Sequence, residues 1–122
     1  MTNPARPSDP ELAELLSDFP TRDHPSENAV MDEEEAGRVL SLAEIAGIPV
    51  VVDGGWAVDA LLGWQTREHS DLDLAINQQY LRRFLNILRR LDYQYLPRGD
   101  KWAAKFVLEN GCGHQVDLHT FV

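Results

Sequence analysis

The chain has 122 residues, of which 43% are hydrophobic and 25% are charged, with 8 glycines and 7 prolines. This composition is that of an ordinary one-domain globular protein, and it excludes collagen, a long coiled coil and wholesale disorder. The sequence has neither the roughly 18–20 consecutive apolar residues that span a bilayer nor a recognisable signal peptide, so we expect a cytoplasmic protein with no membrane partner.

The formal net charge of −9 is unevenly distributed along the chain. Residues 1–44 carry 11 acidic residues against three arginines (−8), whereas residues 45–122 carry 9 acidic residues against 8 basic ones (−1). A basic cluster occurs only on one predicted helix, where a solvated outer face is the favoured interpretation: Arg82, Arg83, Arg89 and Arg90. We therefore do not expect a nucleic-acid partner.

The first 30 residues differ from the rest of the chain. They contain five of the seven prolines, which interrupt any long helix, although residues 8–19 have the pattern of a short one. We interpret residues 1–30 as a proline-rich acidic extension that packs on, or is loosely tethered to, a domain formed by residues 31–122.

After this extension the pattern becomes regular. Apolar residues at helical spacing predict an amphipathic helix over 32–46. The β-branched run at 48–52 predicts a buried strand, which ends in a tight turn at Gly54 and Gly55. A short helix is predicted over 56–63.

The second half of the chain adds strands and one more helix. Strict alternation predicts a strand over 71–76, and apolar residues three and four apart predict a helix over 81–91. Strands over 102–109 and 114–121 flank a glycine-rich turn and form an antiparallel hairpin. The fold class is therefore α/β (α+β), with helices packed on a small mixed sheet, in which strand 48–52 can pair either way with its neighbour.

Two carboxylates lie one residue apart on a predicted strand, at Asp71 and Asp73, and alternation places both on one face. They repel each other unless a cation, a proton or a basic residue lies between them. Two carboxylates together with substrate phosphates are typical ligands of Mg²⁺, and Mn²⁺ accepts the same set. Taken alone, the pair fits a solvated strand face equally well.

Two further features favour the metal interpretation. Gly54 and Gly55 precede a helix whose free N–H groups can hold phosphate oxygens, although such a turn is more often a structural hinge. Asp117 lies on the last strand and shares a face with His119, although a surface carboxylate is the alternative. Three carboxylates beside a glycine turn suit two-metal phosphoryl or nucleotidyl transfer.

Residues 53–74, DGGWAVDALLGWQTREHSDLDL, resemble the signature of the aminoglycoside and lincosamide nucleotidyltransferases, within the DNA polymerase β-like nucleotidyltransferase superfamily. Residues 113–121, GHQVDLHTF, resemble the strand that carries the third carboxylate of this family. The resemblance covers roughly residues 32–122 and implies that 31–122 form a nucleotidyltransferase domain. It implies transfer of a nucleoside monophosphate from NTP to a hydroxyl of a small molecule, such as an antibiotic, with release of pyrophosphate.

The resemblance also implies roles for individual residues. Gly54 and Gly55 would form the turn over the nucleotide phosphates, and Asp71 and Asp73 would bind both metal ions. Asp117 would ligate the catalytic metal or take the proton from the acceptor hydroxyl.

Three basic side chains are candidates for the triphosphate. Arg67 and His69 lie just before the carboxylate strand, although ion pairing of Arg67 with Glu68 or Asp71 is an equally good interpretation. Lys105 could also reach phosphate, but a lysine on an edge strand commonly protects against aggregation.

Members of this family usually continue beyond the third carboxylate strand into a part that helps to form the acceptor pocket, whereas this sequence stops at Val122. We therefore expect the chain to bind NTP and to modify aminoglycosides feebly or not at all, unless residues 1–30 or a second subunit of a homodimer supply the missing wall. Two alternatives stay open: a non-catalytic nucleotide-binding or regulatory module, and a toxin–antitoxin type nucleotidyltransferase that acts on protein or RNA.

Overall fold

The computed structural model describes residues 14, 16, 17, 19–97 and 105–122, with only the backbone described at Lys105. Most of the helix expected over 8–19 and the start of the strand expected over 102–109 therefore lie outside the described residues. No helix in the described ranges is long and apolar enough to cross a bilayer.

A five-stranded mixed sheet with helices packed on it forms the described part of the chain, as the sequence predicts. The helices are α1 (Glu33–Ile45), α2 (Gly54–Leu62) and α3 (Leu81–Arg90), the last preceded by a 3₁₀ turn (Gln78–Tyr80). The strands are β1 (Val50–Asp53), β2 (Leu72–Asn77), β3 (Gln94–Leu96), β4 (Lys105–Glu109) and β5 (Gln115–Phe121). Their order in the sheet is β1-β2-β5-β4-β3.

The sheet is mixed because one pair of neighbours runs parallel. β1 pairs with β2 in the antiparallel direction, which settles the pairing that the sequence left open. β2 and β5 are parallel, and β4 pairs antiparallel with both β5 and β3. The three-residue strand β3 is absent from the sequence prediction because three residues are too short to show alternation.

One face of the sheet carries the hydrophobic core. Alternation points Leu72, Leu74 and Ile76 of β2 to this face, where all three are fully buried. Helices α1 and α3 cover it with buried residues three and four apart, namely Ala36, Val39, Ala43, Leu81, Phe84, Leu85 and Leu88. The four arginines of α3 are exposed on its outer side, as predicted for a solvated face.

Helix α2 begins two residues earlier than the sequence predicts. Asp53 caps it, and the Asp53 side chain accepts a hydrogen bond from the Gly54 N–H at 2.9 Å. The two glycines are therefore both the corner after β1 and the first turn of the helix. We call Gly54 and Gly55 the glycine turn.

The described part of the predicted extension packs on the domain. Phe19 is buried in the core, and the Tyr95 N–H donates to the Pro20 carbonyl at 2.7 Å. Further along, the Val30 N–H donates to the Gly113 carbonyl at 3.2 Å. These contacts favour the packed alternative for residues 19–30, while the boundary at residue 30 stays a prediction.

Hydrogen bonds between polar side chains connect the start of α1 to the segment that follows α3. The fully buried Tyr93 hydroxyl donates to Glu35 Oε2 at 2.7 Å, and Arg38 Nε donates to Glu35 Oε1 at 2.8 Å. Burial, followed by the hydrogen bond to Glu35, raises the pKa of Tyr93 well above its usual range. The phenol therefore stays neutral and remains a donor to the carboxylate.

Replacing Tyr93 by Phe should lower the free energy of unfolding by about 1–2 kcal/mol, because a buried carboxylate loses one hydrogen-bond donor. Urea denaturation measures this difference. The matched control is Tyr80→Phe, since the half-buried Tyr80 hydroxyl makes no hydrogen bond to the described residues; it should change stability by less than about 0.5 kcal/mol. Equal losses in the two variants would show that the bond to Glu35 contributes nothing.

Candidate active site

Two of the predicted carboxylates converge between the parallel strands. The register of β2 and β5 sets Asp73 directly opposite Asp117. Residues opposite each other in a sheet point to the same face, and both point away from the core face that carries Leu72 and Leu74. Asp73 is half-buried, and Asp117 is 6% exposed. The structure therefore brings these two residues together on one face of the sheet, while their role in metal binding stays a prediction.

His119 joins the pair, although the sequence analysis did not name it as a ligand. One ligand atom from each of Asp73, Asp117 and His119 lies within 4.8 Å of the other two. His119 Nε2 is 4.0 Å from Asp117 Oδ1, and 45% of the His119 side chain is exposed. The signal was present in the sequence, because Asp117 and His119 are two residues apart on one strand.

Asp71 lies outside this group of three. β2 starts at Leu72, one residue later than predicted, so Asp71 precedes the strand that carries Asp73. Its side chain is half-buried, and its proposed part in metal binding stays a prediction.

The glycine turn touches residues that the sequence assigned to the metal and to the nucleotide. Gly54 has a φ of +67°, and a Cβ there would overlap Asp73 Oδ2. A Cβ on Gly55 would lie 2.5 Å from His69 Nδ1 and 2.9 Å from Arg67 Nη2. Both positions therefore favour glycine for steric reasons. The two glycines bring Asp73, His69 and Arg67 close together.

His69 is buried beneath the turn. Its Nε2 contacts Asp59 Oδ2, and its ring lies 4.6 Å from the Trp56 ring, centroid to centroid. Asp59 also accepts a hydrogen bond from the Thr66 hydroxyl at 2.6 Å. That bond is the main cause of a lowered Asp59 pKa, and the His69 contact acts in the same direction, although burial opposes both. Asp59 is not among the functional residues predicted from the sequence; it lies in the short helix predicted over 56–63.

The two predicted phosphate-binding cations are placed differently. Arg67 is exposed, and its Nη1 donates to the Glu68 carbonyl at 3.1 Å while Nη2 lies beside Gly55. Lys105 begins β4 opposite His119, but its side chain lies outside the described part of the chain. Its contact with phosphate stays a prediction.

Replacing Gly54 by Ala should destabilise the fold by at least about 1–2 kcal/mol, because the left-handed backbone is strained for alanine and the new methyl group must displace the Asp73 carboxylate. Gly111→Ala is the matched control, since nothing lies within 4 Å of its Cβ position and its φ is not positive. Thermal and urea unfolding measure both variants. Similar stability of the two would contradict the close contact between Gly54 and Asp73.

The sequence matches a model of a known protein family over most of its length. The model described as aminoglycoside-2''-adenylyltransferase matches residues 36–122, which include both carboxylate strands and the glycine turn.

Curated relatives match over shorter stretches. A lincosamide resistance protein of Staphylococcus haemolyticus is 34% identical over 67 residues, which are 55% of this chain and 42% of that protein. A 2''-aminoglycoside nucleotidyltransferase of Escherichia coli is 46% identical over 37 residues, 30% of this chain and 21% of that protein. The aligned part thus spans less than half of the length of either relative.

Solved structures of the same two kinds share the fold. The lincomycin-bound lincosamide antibiotic adenylyltransferase LnuA superposes with a TM-score of 0.67 and 27% identity, covering 75% of this chain and 56% of that one. ANT(2'')-Ia in complex with adenylyl-2''-tobramycin gives a TM-score of 0.59 and 30% identity, covering 70% and 47%. Together with the family model, which matches well over half of the sequence, these findings show that the chain belongs to the aminoglycoside-2''-adenylyltransferase family.

Proposed function

We propose that this chain catalyses metal-dependent transfer of a nucleoside monophosphate from NTP to a hydroxyl of an aminoglycoside-like or lincosamide-like antibiotic, with release of pyrophosphate. The observation that carries the proposal is the pairing of Asp73 with Asp117 beside the glycine turn. The relatives named for antibiotic modification support it, since one is bound to lincomycin and another to an adenylylated tobramycin.

The nucleotide phosphates would bind at the start of α2. A helix N-terminus presents free N–H groups and a partial positive charge, and α2 lacks side chains at its first two positions. Arg67, exposed beside Gly55, would add a cationic contact to the triphosphate. His69 would donate to a phosphate oxygen only from Nδ1, because its Nε2 is engaged by Asp59, and only as an imidazolium that carries a proton on both nitrogens.

The residues on the carboxylate strands fit a divalent cation. Carboxylate oxygens of Asp73 and Asp117 suit Mg²⁺, and the nearby His119 imidazole would make Mn²⁺ equally acceptable. We propose Asp71, which directly precedes β2, as a further ligand. A bound cation would neutralise charge on the triphosphate and lower the pKa of the acceptor hydroxyl.

Group transfer then needs mainly positioning from the protein. The acceptor oxygen attacks the α-phosphorus, the bond from that phosphorus to the oxygen bridging to the β-phosphate breaks, and pyrophosphate leaves. Asp117 would hold the cation or take the hydroxyl proton, which otherwise passes to water, and the glycine turn would keep the triphosphate in line with the attacking oxygen. The acceptor itself is proposed from the relatives and not from charge, since most of the net charge of −9 belongs to residues 1–44.

Asp117→Asn should lower product formation by at least about 100-fold, because metal-ion stabilisation of the transition state is worth several kcal/mol and each 1.36 kcal/mol changes the rate tenfold. The assay incubates the chain with Mg²⁺, each NTP and a panel of aminoglycosides and lincosamides, and mass spectrometry detects the nucleotidylated antibiotic.

Asp92→Asn is the control for this assay, since Asp92 is exposed and its φ of 64° is one that asparagine tolerates. This variant should keep wild-type turnover. A wild-type chain that binds NTP but forms no product with any acceptor would favour either the non-catalytic module or the missing acceptor wall expected from the sequence. Equal turnover in Asp117→Asn would remove Asp117 from the mechanism.

A further inference from the structure

We propose that Asp59 is a positioning residue that acts through His69 on the glycine turn. The inference rests on the proposed function, in which this turn receives the triphosphate. Asp59 lies outside the group formed by Asp73, Asp117 and His119, so its part would be to fix the nucleotide and not the metal.

Asp59 occupies an unusual place in α2. It is the buried residue of the helix, at 3% exposure, whereas the apolar neighbours Val58, Leu61 and Leu62 are exposed. Burying a carboxylate is costly unless donors satisfy it, and here the donors are His69 Nε2 and Thr66, the latter through its hydroxyl and its backbone N–H. The helix therefore turns a charged group inward at one position, directly toward His69.

The His69 ring is fixed on three sides. Asp59 holds Nε2, the Trp56 ring packs against the imidazole, and Nδ1 lies beside Gly55. An ionised carboxylate only accepts hydrogen bonds, so Nε2 carries a proton in this arrangement. His69 as a whole is 2% exposed, so these contacts lie in the interior of the protein.

This fixed ring forms the support of the glycine turn. His69 Nδ1 lies where a Gly55 side chain would be, and the adjoining Gly54 packs in the same way on Asp73 Oδ2. A displacement of the imidazole therefore changes the position of the turn relative to the carboxylates. Misplacement of a substrate group by about 1 Å can cost about 100-fold in rate, so such a support matters to the reaction even without contact with the reacting atoms.

The test compares Asp59→Ala, Asp59→Asn and Thr66→Val in the full chain. Thr66→Val removes one hydrogen bond from the same carboxylate and leaves the His69 contact in place, so it controls for a purely structural effect. Three quantities are measured: the melting temperature, the Kd for Mn²⁺ alone, and the Kd for a non-hydrolysable ATP analogue with Mn²⁺.

Asp59→Ala should weaken binding of the analogue by about tenfold or more, the loss typical when the partner of a functional histidine is removed. Asp59→Asn should recover most of that affinity, because the amide oxygen can still accept from Nε2. Thr66→Val should bind the analogue like the wild type, and the Mn²⁺ affinity should be the same in all four proteins.

Unchanged analogue binding in a folded Asp59→Ala chain would overturn the proposal, as would equal losses in Asp59→Ala and Thr66→Val. A second readout uses the wild type alone and needs no variant to fold: imidazole ¹⁵N NMR, with the His69 signal assigned by its loss in His69→Gln, should show a proton on Nε2. A bare Nε2 would also overturn the proposal. If the wild type binds Mn²⁺ but no nucleotide, the proposed function fails, and the NMR result still decides whether Asp59 orients His69.

Discussion

The parallel pairing of β2 with β5 is the constraint on which the site depends. It sets Asp73 opposite Asp117, and neighbouring strands in a sheet are about 4.8 Å apart, so two negative charges are held close together. The hydrophobic alternation on the opposite face keeps this register, because a slip of one residue would turn Leu72, Leu74 and Ile76 toward the carboxylate side. The core thus supplies the free energy that holds the two carboxylates side by side, where a divalent cation would be able to bridge them.

The glycine turn couples this carboxylate pair to the start of α2. Gly54 packs against Asp73 and Gly55 against His69, so the nucleotide end and the metal end of the proposed site share one stretch of backbone. Asp53 caps the same helix from the end of β1, opposite Asp73 in the sheet. The proposed site therefore consists of side chains on strands, arranged around a turn in which larger residues would clash with Asp73 and His69. Such an arrangement suits catalysis by positioning.

The sequence predicted those features that depend on simple periodicity. Alternation located β2 and β5, and with them Asp73, Asp117 and the shared face of His119, while 3–4 spacing located α1 and α3. It could not predict Asp59, because the run GGWAVDALL is apolar and periodicity places the apolar residues inward, whereas the structure exposes Leu61 and buries the carboxylate. The direction of β1 and the short strand β3 depend on pairing between strands that are distant in the sequence. The start of α2 at Gly54 depends on a steric contact with Asp73. Local sequence patterns contain neither kind of information.

The most direct test of a shared site for metal and nucleotide is the thermodynamic coupling between the two ligands. Isothermal titration calorimetry with a non-hydrolysable ATP analogue, with and without Mn²⁺, measures it in the wild type and in Asp73→Asn. Mn²⁺ should strengthen binding of the analogue by at least about tenfold in the wild type and by about twofold or less in the variant, because one carboxylate of the pair is lost. The same strengthening in both proteins would contradict the assignment of Asp73, and with it the site built around the parallel strand pair.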